Sequence, residues 1–317
     1  MTAAQPSARL DGILVVDKPA GPTSHDIVGL IRRLSGMKRV GHGGTLDPFA
    51  RGVLPIFLGR ATRVVEYHLG DRKQYRATVC FGASSTTDDL EGELTPVPLA
   101  VPGSVLERAT VEAGLAAFRG PIVQVPPAYS AIKVDGERSY DLARAGQAVE
   151  LAARIVTVHS ARVAGSPDAD HITLEIECGK GTYVRAIARD LAEMLGACGH
   201  VHALRRTRVG GFTEQNAVTL EFLEDLGYGP RQSELLLPVE TALDDIPELA
   251  VTAEDAFRLK QGRAIVLVPR QVEAVKARLK PGSRTVSAMA GGSIVALCEM
   301  RAGRLEPSRV FLLESGD

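Results

Sequence analysis

Gly41-His42-Gly43-Gly44-Thr45-Leu46-Asp47-Pro48, continuing as Phe49-Ala50-Arg51-Gly52-Val53-Leu54-Pro55-Ile56, joins a stiff loop to an apolar run. The glycines beside His42 remove Cβ bulk and permit positive φ, so a ligand or a second backbone can come close. Pro48 confines Asp47 to an extended conformation. The expected product is one carboxylate aimed from a rigid loop, with one imidazole beside it. Taken singly, Gly, Asp and Pro are also ordinary turn residues, so the loop needs its surroundings to be read.

Upstream, Ile13 to Val16 reads as a buried strand. A turn at Pro19 to Pro22 follows, then a helix capped at Thr23 or Ser24 with Ile27, Leu30, Ile31 and Leu34 on one face. Downstream, Tyr75 to Phe81 reads as a strand, Ser84 to Asp89 as a polar turn, 104–118 as a helix and Ser139 to Ala145 as a shorter one. From His171, the residues Ile172, Leu174, Ile176 and Cys178 alternate with polar ones, the period of a half-buried strand. A turn at Gly179-Lys180-Gly181 then opens a helix striped by Val184, Ile187, Ala188, Leu191 and Leu195, and Arg185 begins it. Strands broken by helices without a strict βαβ rhythm predict an α+β fold with a mixed, largely antiparallel sheet flanked by helices, rather than a doubly wound one.

At 317 residues the chain is long for one core. Acids and prolines from Leu237 to Glu248 mark a seam. The expected division is a catalytic domain at 1–237, a linker at 238–248 and a small β-rich domain at 249–317. In the last, Ala253 to Gln261 reads as a helix stopped at Gly262, and Thr285 to Ala288 and Ile294 to Cys298 as strands. There is no run of 18 apolar residues and no secretory signal pattern, so a cytoplasmic protein with no membrane partner is expected. Four widely spaced cysteines without a C-x-x-C pair predict reduced thiols.

The formal charge of -1 hides local imbalance. Residues 1–70 hold nine Lys/Arg against five Asp/Glu, and 180–210 hold six against two. Residues 214–258 hold eleven acids against Arg231 and Arg258, and should face away from an anionic partner. Charge alone also fits solvated faces with no partner.

Several stretches occur in one order along the chain: Asp17-Lys18-Pro19 to Ser24, the Asp47 loop, Lys73-Gln74-Tyr75-Arg76-Ala77, Pro126 to Ala131, Cys178 to Arg185, and His200 to Thr207. In that order the chain resembles the bacterial TruB-type tRNA pseudouridine-55 synthases over nearly its whole length. Gly43 departs from the pattern, since many relatives carry Thr there. The exchange removes no reactive group and is expected to be neutral. The resemblance implies a pseudouridine-synthase fold with a PUA-like C-terminal RNA-binding domain, and isomerisation of uridine 55 in the tRNA T-loop.

It also implies roles. Asp47 is the catalytic carboxylate, attacking C1′ or deprotonating C2′; the sequence leaves both routes open. Arg185 compensates its charge in a dry pocket. Tyr75 stacks on the flipped base and assists loss of the C5 proton, and His42 fills the gap left by the extruded uridine. Tyr183 and Leu204 line the uracil pocket, and Lys18 supports the loop near the substrate. The implied partner is tRNA, with the T-arm in the cleft and the acceptor end held by Arg263, Arg270, Arg284, Arg301, Arg304 and Arg309. No cofactor and no guide RNA are expected; the working expectation is a monomer whose C-terminal domain can be removed without loss of the catalytic step. Two rivals stand beside this: the guide-RNA-dependent branch of the same family, which shares the Asp loop, and a non-catalytic RNA chaperone, which would not need Asp47. Two other motifs fall short. Gly179-Lys180-Gly181-Thr182 lacks the spacing of a phosphate-binding P-loop, and Cys198, His200 and His202 lack the second ligand pair of a structural zinc site, so no metal is expected.

Overall fold

The computed structural model describes residues 10–68, 72–97, 107–130, 132–134, 136–147, 149–226, 230–280 and 282–311. A nine-stranded sheet runs in the order Gly12–Lys18, Arg51–Leu58, Gly199–Val209, Lys73–Phe81, His171–Cys178, Arg154–Gly165, Gly120–Gln124, with Val40–His42 and Phe212–Thr213 attached at its side. Every pairing is antiparallel except Arg51–Leu58 against Gly199–Val209. The sheet is therefore mixed and largely antiparallel, as the patterning predicts.

The parallel contact sits beside the Asp47 loop and depends on a glycine. Gly52 has φ +108, and a Cβ there would lie 2.2 Å from the Arg206 carbonyl oxygen. Only a residue without a side chain lets the two strands meet at Gly52 and Arg206. On the next strand over, Tyr75 is opposite Arg206 and Ala77 is opposite Leu204. Register thus brings Tyr75, Leu204 and Arg206 to one end of the Asp47 loop.

Alternation buries Tyr75, Ala77, Val79 and Phe81 on one face of their strand. The helix Val184–Met194 covers that face through Val184, Ile187, Ala188, Leu191 and Ala192. On the N-terminal side the helix Ser24–Ser35 is capped by Thr23, whose hydroxyl accepts from the Asp26 amide while Asp26 accepts from the Thr23 amide. Gly36 ends it at φ +64. The helix expected at 104–118 is observed as Arg108–Leu115 with a 3₁₀ turn, Ala116–Phe118; residues 104–106 lie outside the described residues. Instead of a simple turn, the segment after Phe81 is a small hairpin, Ala83–Ser85 against Leu94–Pro96.

The C-terminal residues form a second sheet ordered Glu248–Ala250, Thr285–Ala290, Ser293–Arg301, Arg304–Val310, Ile265–Val266. This is the small β-rich unit expected. The residues between the two sheets are not a free tether. Val239–Leu243 is a 3₁₀ turn whose Ala242 and Leu243 are buried in one apolar layer with Phe57, Val209 and Phe212 from the first sheet and Ile294, Leu297 and Phe311 from the second unit. Both units therefore share a core, against the expectation that the C-terminal domain is separable.

The same layer corrects the reading of Gly43. A Cβ there would lie 2.7 Å from the His68 ring and 2.7 Å from the Phe57 ring. His68 is fully buried between Phe57 and Phe212, with ring centroids at 5.5 and 5.1 Å, and occupies the volume a side chain at 43 would need. Gly43→Thr is thus expected to destabilise this chain by about 1–3 kcal/mol, the usual cost of overpacking, read as a lower urea midpoint. Gly41→Ala is the control, because its Cβ would meet nothing within 4 Å, and its midpoint should match the parent.

Candidate active site

The Asp47 loop is held from below by three buried polar side chains. Lys18 is fully buried, and its Nζ donates to Pro48 O at 3.0 Å, Pro22 O at 2.7 Å and Pro19 O at 2.8 Å. All three donors are used, which offsets the cost of burying an ammonium. Burial nonetheless brings the Lys18 pKa down to about 8, with the Asp47 charge opposing the fall. Ser24 Oγ accepts from Leu46 N at 2.9 Å and donates to Leu46 O at 3.0 Å. Arg206, also fully buried, donates to Val53 O at 2.8 Å, Thr45 O at 3.1 Å and Gly44 O at 3.1 Å. Gly44 has φ +114, the one positive φ among the three glycines around His42.

Asp47 opens into a cleft of about 260 Å³ lined also by Leu46, Tyr75, Tyr183, Arg185, Leu204 and Arg206. Arg185, expected at the start of a helix, is the second residue of Val184–Met194 and is buried rather than exposed. Its Nε is 3.0 Å from Asp47 Oδ2 and its Nη1 is 3.0 Å from Asp89 Oδ2. Nη1 also donates to Thr87 O and Nη2 to Tyr129 O, each at 2.9 Å. One guanidinium therefore bridges two carboxylates and is fixed by two carbonyls. Asp89 is in turn fixed by the Thr87 hydroxyl at 2.5 Å and the Glu91 amide at 2.9 Å. Its neighbour Asp88, at φ +60, pairs with Arg189 at 2.8 Å one helical turn beyond Arg185.

Burial pushes the Asp47 carboxyl above the ordinary carboxylate value of 3.8, and the Arg185 guanidinium pulls it back, with Asp89 adding to the rise. Asp47 is the sole acid among the residues lining the cleft, against the cations Lys73, Arg154, Lys180, Arg185 and Arg206. An anionic ligand is favoured there. Tyr75 is buried with its phenol pushed up to about 12, so it stays protonated at neutral pH.

Five of the expected site residues, Asp47, Tyr75, Arg185, Tyr183 and Leu204, line one cleft. Two do not. Lys18 lies beneath the loop and supports it without reaching the cavity. His42, on the strand Val40–His42, is outside the cleft lining, with Nδ1 buried and without a hydrogen-bond partner among the described residues. Burial first, then Arg206, lowers the His42 pKa, which keeps the imidazole neutral. Sequence reasoning missed Asp89, Ser24 and Arg206. Only Arg206 carried a signal: it shares a strand face with Leu204, and an inward arginine must find several acceptors.

Cys198, His200 and His202 do not converge on a metal site. His200 Nδ1 is 3.1 Å from Ala83 O and the His202 ring packs on His171. No group of three or more His, Cys, Asp or Glu able to hold a metal occurs among the described residues. Nor is any described helix long and apolar enough to cross a membrane.

Residues 32–184 match the N-terminal domain model of the TruB family pseudouridylate synthases, and 185–244 match the tRNA pseudouridylate synthase B C-terminal domain. A tRNA pseudouridine synthase B from a Caulobacter species is 61% identical over 304 residues, covering 96% of this chain and 97% of its own. One from Bradyrhizobium diazoefficiens is 48% identical over 308 residues, covering 95% and 86%. The chain belongs to the TruB family of pseudouridylate synthases. Among solved structures, an H/ACA RNP bound to a substrate RNA containing 2′-deoxyuridine shares the fold at TM-score 0.70 and 22% identity, covering 96% of this chain and 86% of that one.

Proposed function

We propose that this protein isomerises uridine 55 in the T-loop of tRNA to pseudouridine, without cofactor or guide RNA, as a cytoplasmic monomer. The observation that carries the reading is the pairing of Asp47 with Arg185 at 3.0 Å in a cleft whose other charges are all positive. The reaction breaks N1–C1′ and joins C5 to C1′, with no net redox change. Asp47 either attacks C1′, so that uracil leaves with the bonding pair, or takes a proton from C2′ to the same end. The freed uracil turns between Tyr75 and Leu204 and its C5 bonds to C1′, displacing the Asp47 carboxylate on the first route or taking back the C2′ proton from Asp47 on the second; the C5 proton is then lost to water with the Tyr75 hydroxyl as relay, and N1 takes up a proton. His42, outside the cleft and neutral, replaces the extruded base in the RNA stack.

Release of tritium from tRNA carrying [5-³H]uridine tests the reading. Purified protein alone should release one equivalent from the T-arm, and a T-arm with uridine 55 replaced by cytidine should release none from that position. Failure on the bare stem-loop would remove the stand-alone assignment.

The pH dependence should follow the Asp47 surroundings. The working form is the carboxylate and its pKa is raised, so the single-turnover rate climbs with pH through a midpoint above 3.8. Arg185→Gln removes the opposing charge and should move that limb to higher pH. Asp89→Asn removes a charge that raises Asp47 and should move it lower. Shifts of the same sign in both variants would contradict this electrostatic account.

A further inference from the structure

Lys180 and Arg154 have no part in the chemistry above, yet both line the Asp47 cleft. They come from different elements, Lys180 from the turn after the strand His171–Cys178 and Arg154 from the start of Arg154–Gly165. The Arg154 side chain is held in place, and so is the backbone turn that carries Lys180. Arg154 Nη2 donates to Gly181 O at 2.8 Å, and its guanidinium carbon lies 5.0 Å from the centre of the Tyr183 ring. The turn carrying Lys180 is tied by Gly179 N to Thr157 O at 2.8 Å and by the Thr182 hydroxyl to Gly179 O at 3.1 Å, with Gly181 at φ +82.

The other face of the same sheet shows what these cations lack. There Arg72 and Arg208 share Glu177, Arg76 and Arg162 share Glu175, and Arg205 takes Asp17 and Glu214. Neither Arg154 nor Lys180 has a carboxylate within 4.0 Å among the described residues. Two cations of different shape, a planar fork held by Gly181 and Tyr183 and a point charge on a tied turn, thus face one cavity, neither with a carboxylate within 4.0 Å among the described residues. A phosphate oxygen cluster meets both, since the guanidinium can bind it through paired donors and the ammonium through charge.

We infer that Lys180 and Arg154 seat a backbone phosphate flanking the uridine that enters the cleft. The inference rests on the RNA reading above. It gives Gly179-Lys180-Gly181-Thr182, which fails as a P-loop, a different phosphate contact: one side-chain cation on a glycine turn, completed by an arginine from the neighbouring strand. Grip on that phosphate would fix the ribose over Asp47 before the base turns.

The test uses a T-arm stem-loop with an ordinary backbone and two copies carrying a single methylphosphonate, one 5′ and one 3′ of the target uridine. Lys180→Ala should raise Kd about tenfold and reduce the slope of log K against log salt by about 0.7, the loss of one single-strand phosphate contact. In the parent protein, one of the two methylphosphonates should reproduce that loss; in Lys180→Ala the same substitution should add little, because the partner is already gone. Arg154→Lys should keep most of the salt slope, whereas Arg154→Ala should lose it. An unchanged slope in Arg154→Ala would mean that Arg154 only supports Tyr183. Equal sensitivity of parent and Lys180→Ala to both methylphosphonates would overturn the phosphate seat. The parent's own tritium release from the unmodified stem-loop keeps the two ideas apart: release without coupling sinks only the seat, and no release sinks the uridine reading itself.

Discussion

Asp47→Asn and Asp47→Ala are expected to lower the single-turnover rate by ~10³-fold or more while leaving tRNA affinity within about one order of magnitude. On the proposed function the carboxylate carries the bond-making or proton-transfer step, and no other acid lines the cleft among the described residues to replace it. RNA affinity is expected to come chiefly from phosphates, to which a carboxylate contributes no attraction. Stability should not suffer in the Asn variant. The Asp47 pKa is raised in the folded chain, so the folded state prefers the neutral form. That preference is fully present below the unfolded value of 3.8, and is lost as pH rises through the folded pKa, where ionisation costs the fold. A neutral amide avoids that cost at pH 7, and Arg185 keeps Asp89. Urea midpoints of parent and Asp47→Asn at pH 7 check this. A retained tenth of the parent rate in Asp47→Ala would show that another group performs the step.

A chain ending at Leu237 is expected to lose its cooperative fold rather than merely its grip on RNA. Ile294, Leu297 and Phe311 are each at most 4% exposed, and they complete the layer that covers Phe57, Val209 and Phe212. At about 1.5–3 kcal/mol for each buried large side chain, losing three of them removes roughly 5–9 kcal/mol, comparable with the ~5–15 kcal/mol stability of a typical protein. Polar ties are lost as well: Arg309 to Glu66 at 2.9 Å, the Ile294 amide to Glu240 Oε1 at 3.0 Å, and the Arg63 guanidinium to Val310 O. Dye binding to exposed apolar surface and a broad, shallow urea transition are the expected readouts. A truncated chain that unfolds cooperatively and releases tritium at the parent rate would mean that the layer is dispensable.

The same contacts change how the C-terminal arginines are probed. Arg301 is already paired with Glu299 and Arg309 with Glu66, so these two are partly neutralised within the chain. Arg263, Arg270, Arg284 and Arg304 remain as the candidates for the acceptor end. Replacing them singly avoids exposing the shared layer.

The sequence by itself determined the elements and the stiff loop that carries Asp47. Period-2 alternation from His171 to Cys178 and the apolar stripe from Val184 are local patterns, set by backbone geometry within a few residues, and the structure reproduces both. The Gly-rich, Pro-closed loop around Asp47 is equally local, because glycine and proline restrict φ at their own positions. Tertiary structure alone decided what surrounds Asp47. Arg206 reaches Thr45 across 161 residues, and Arg185 reaches Thr87 across 98. Periodicity reports which face a side chain occupies but not which distant carbonyl or carboxylate meets it there. Asp89 was therefore indistinguishable from any acid in a polar turn until the hairpin after Phe81 folded back onto the helix bearing Arg185. Gly43 is the same lesson in packing: its tolerance was set by His68 and Phe57, which sheet register and the C-terminal unit press against it, and no neighbour in sequence could reveal that.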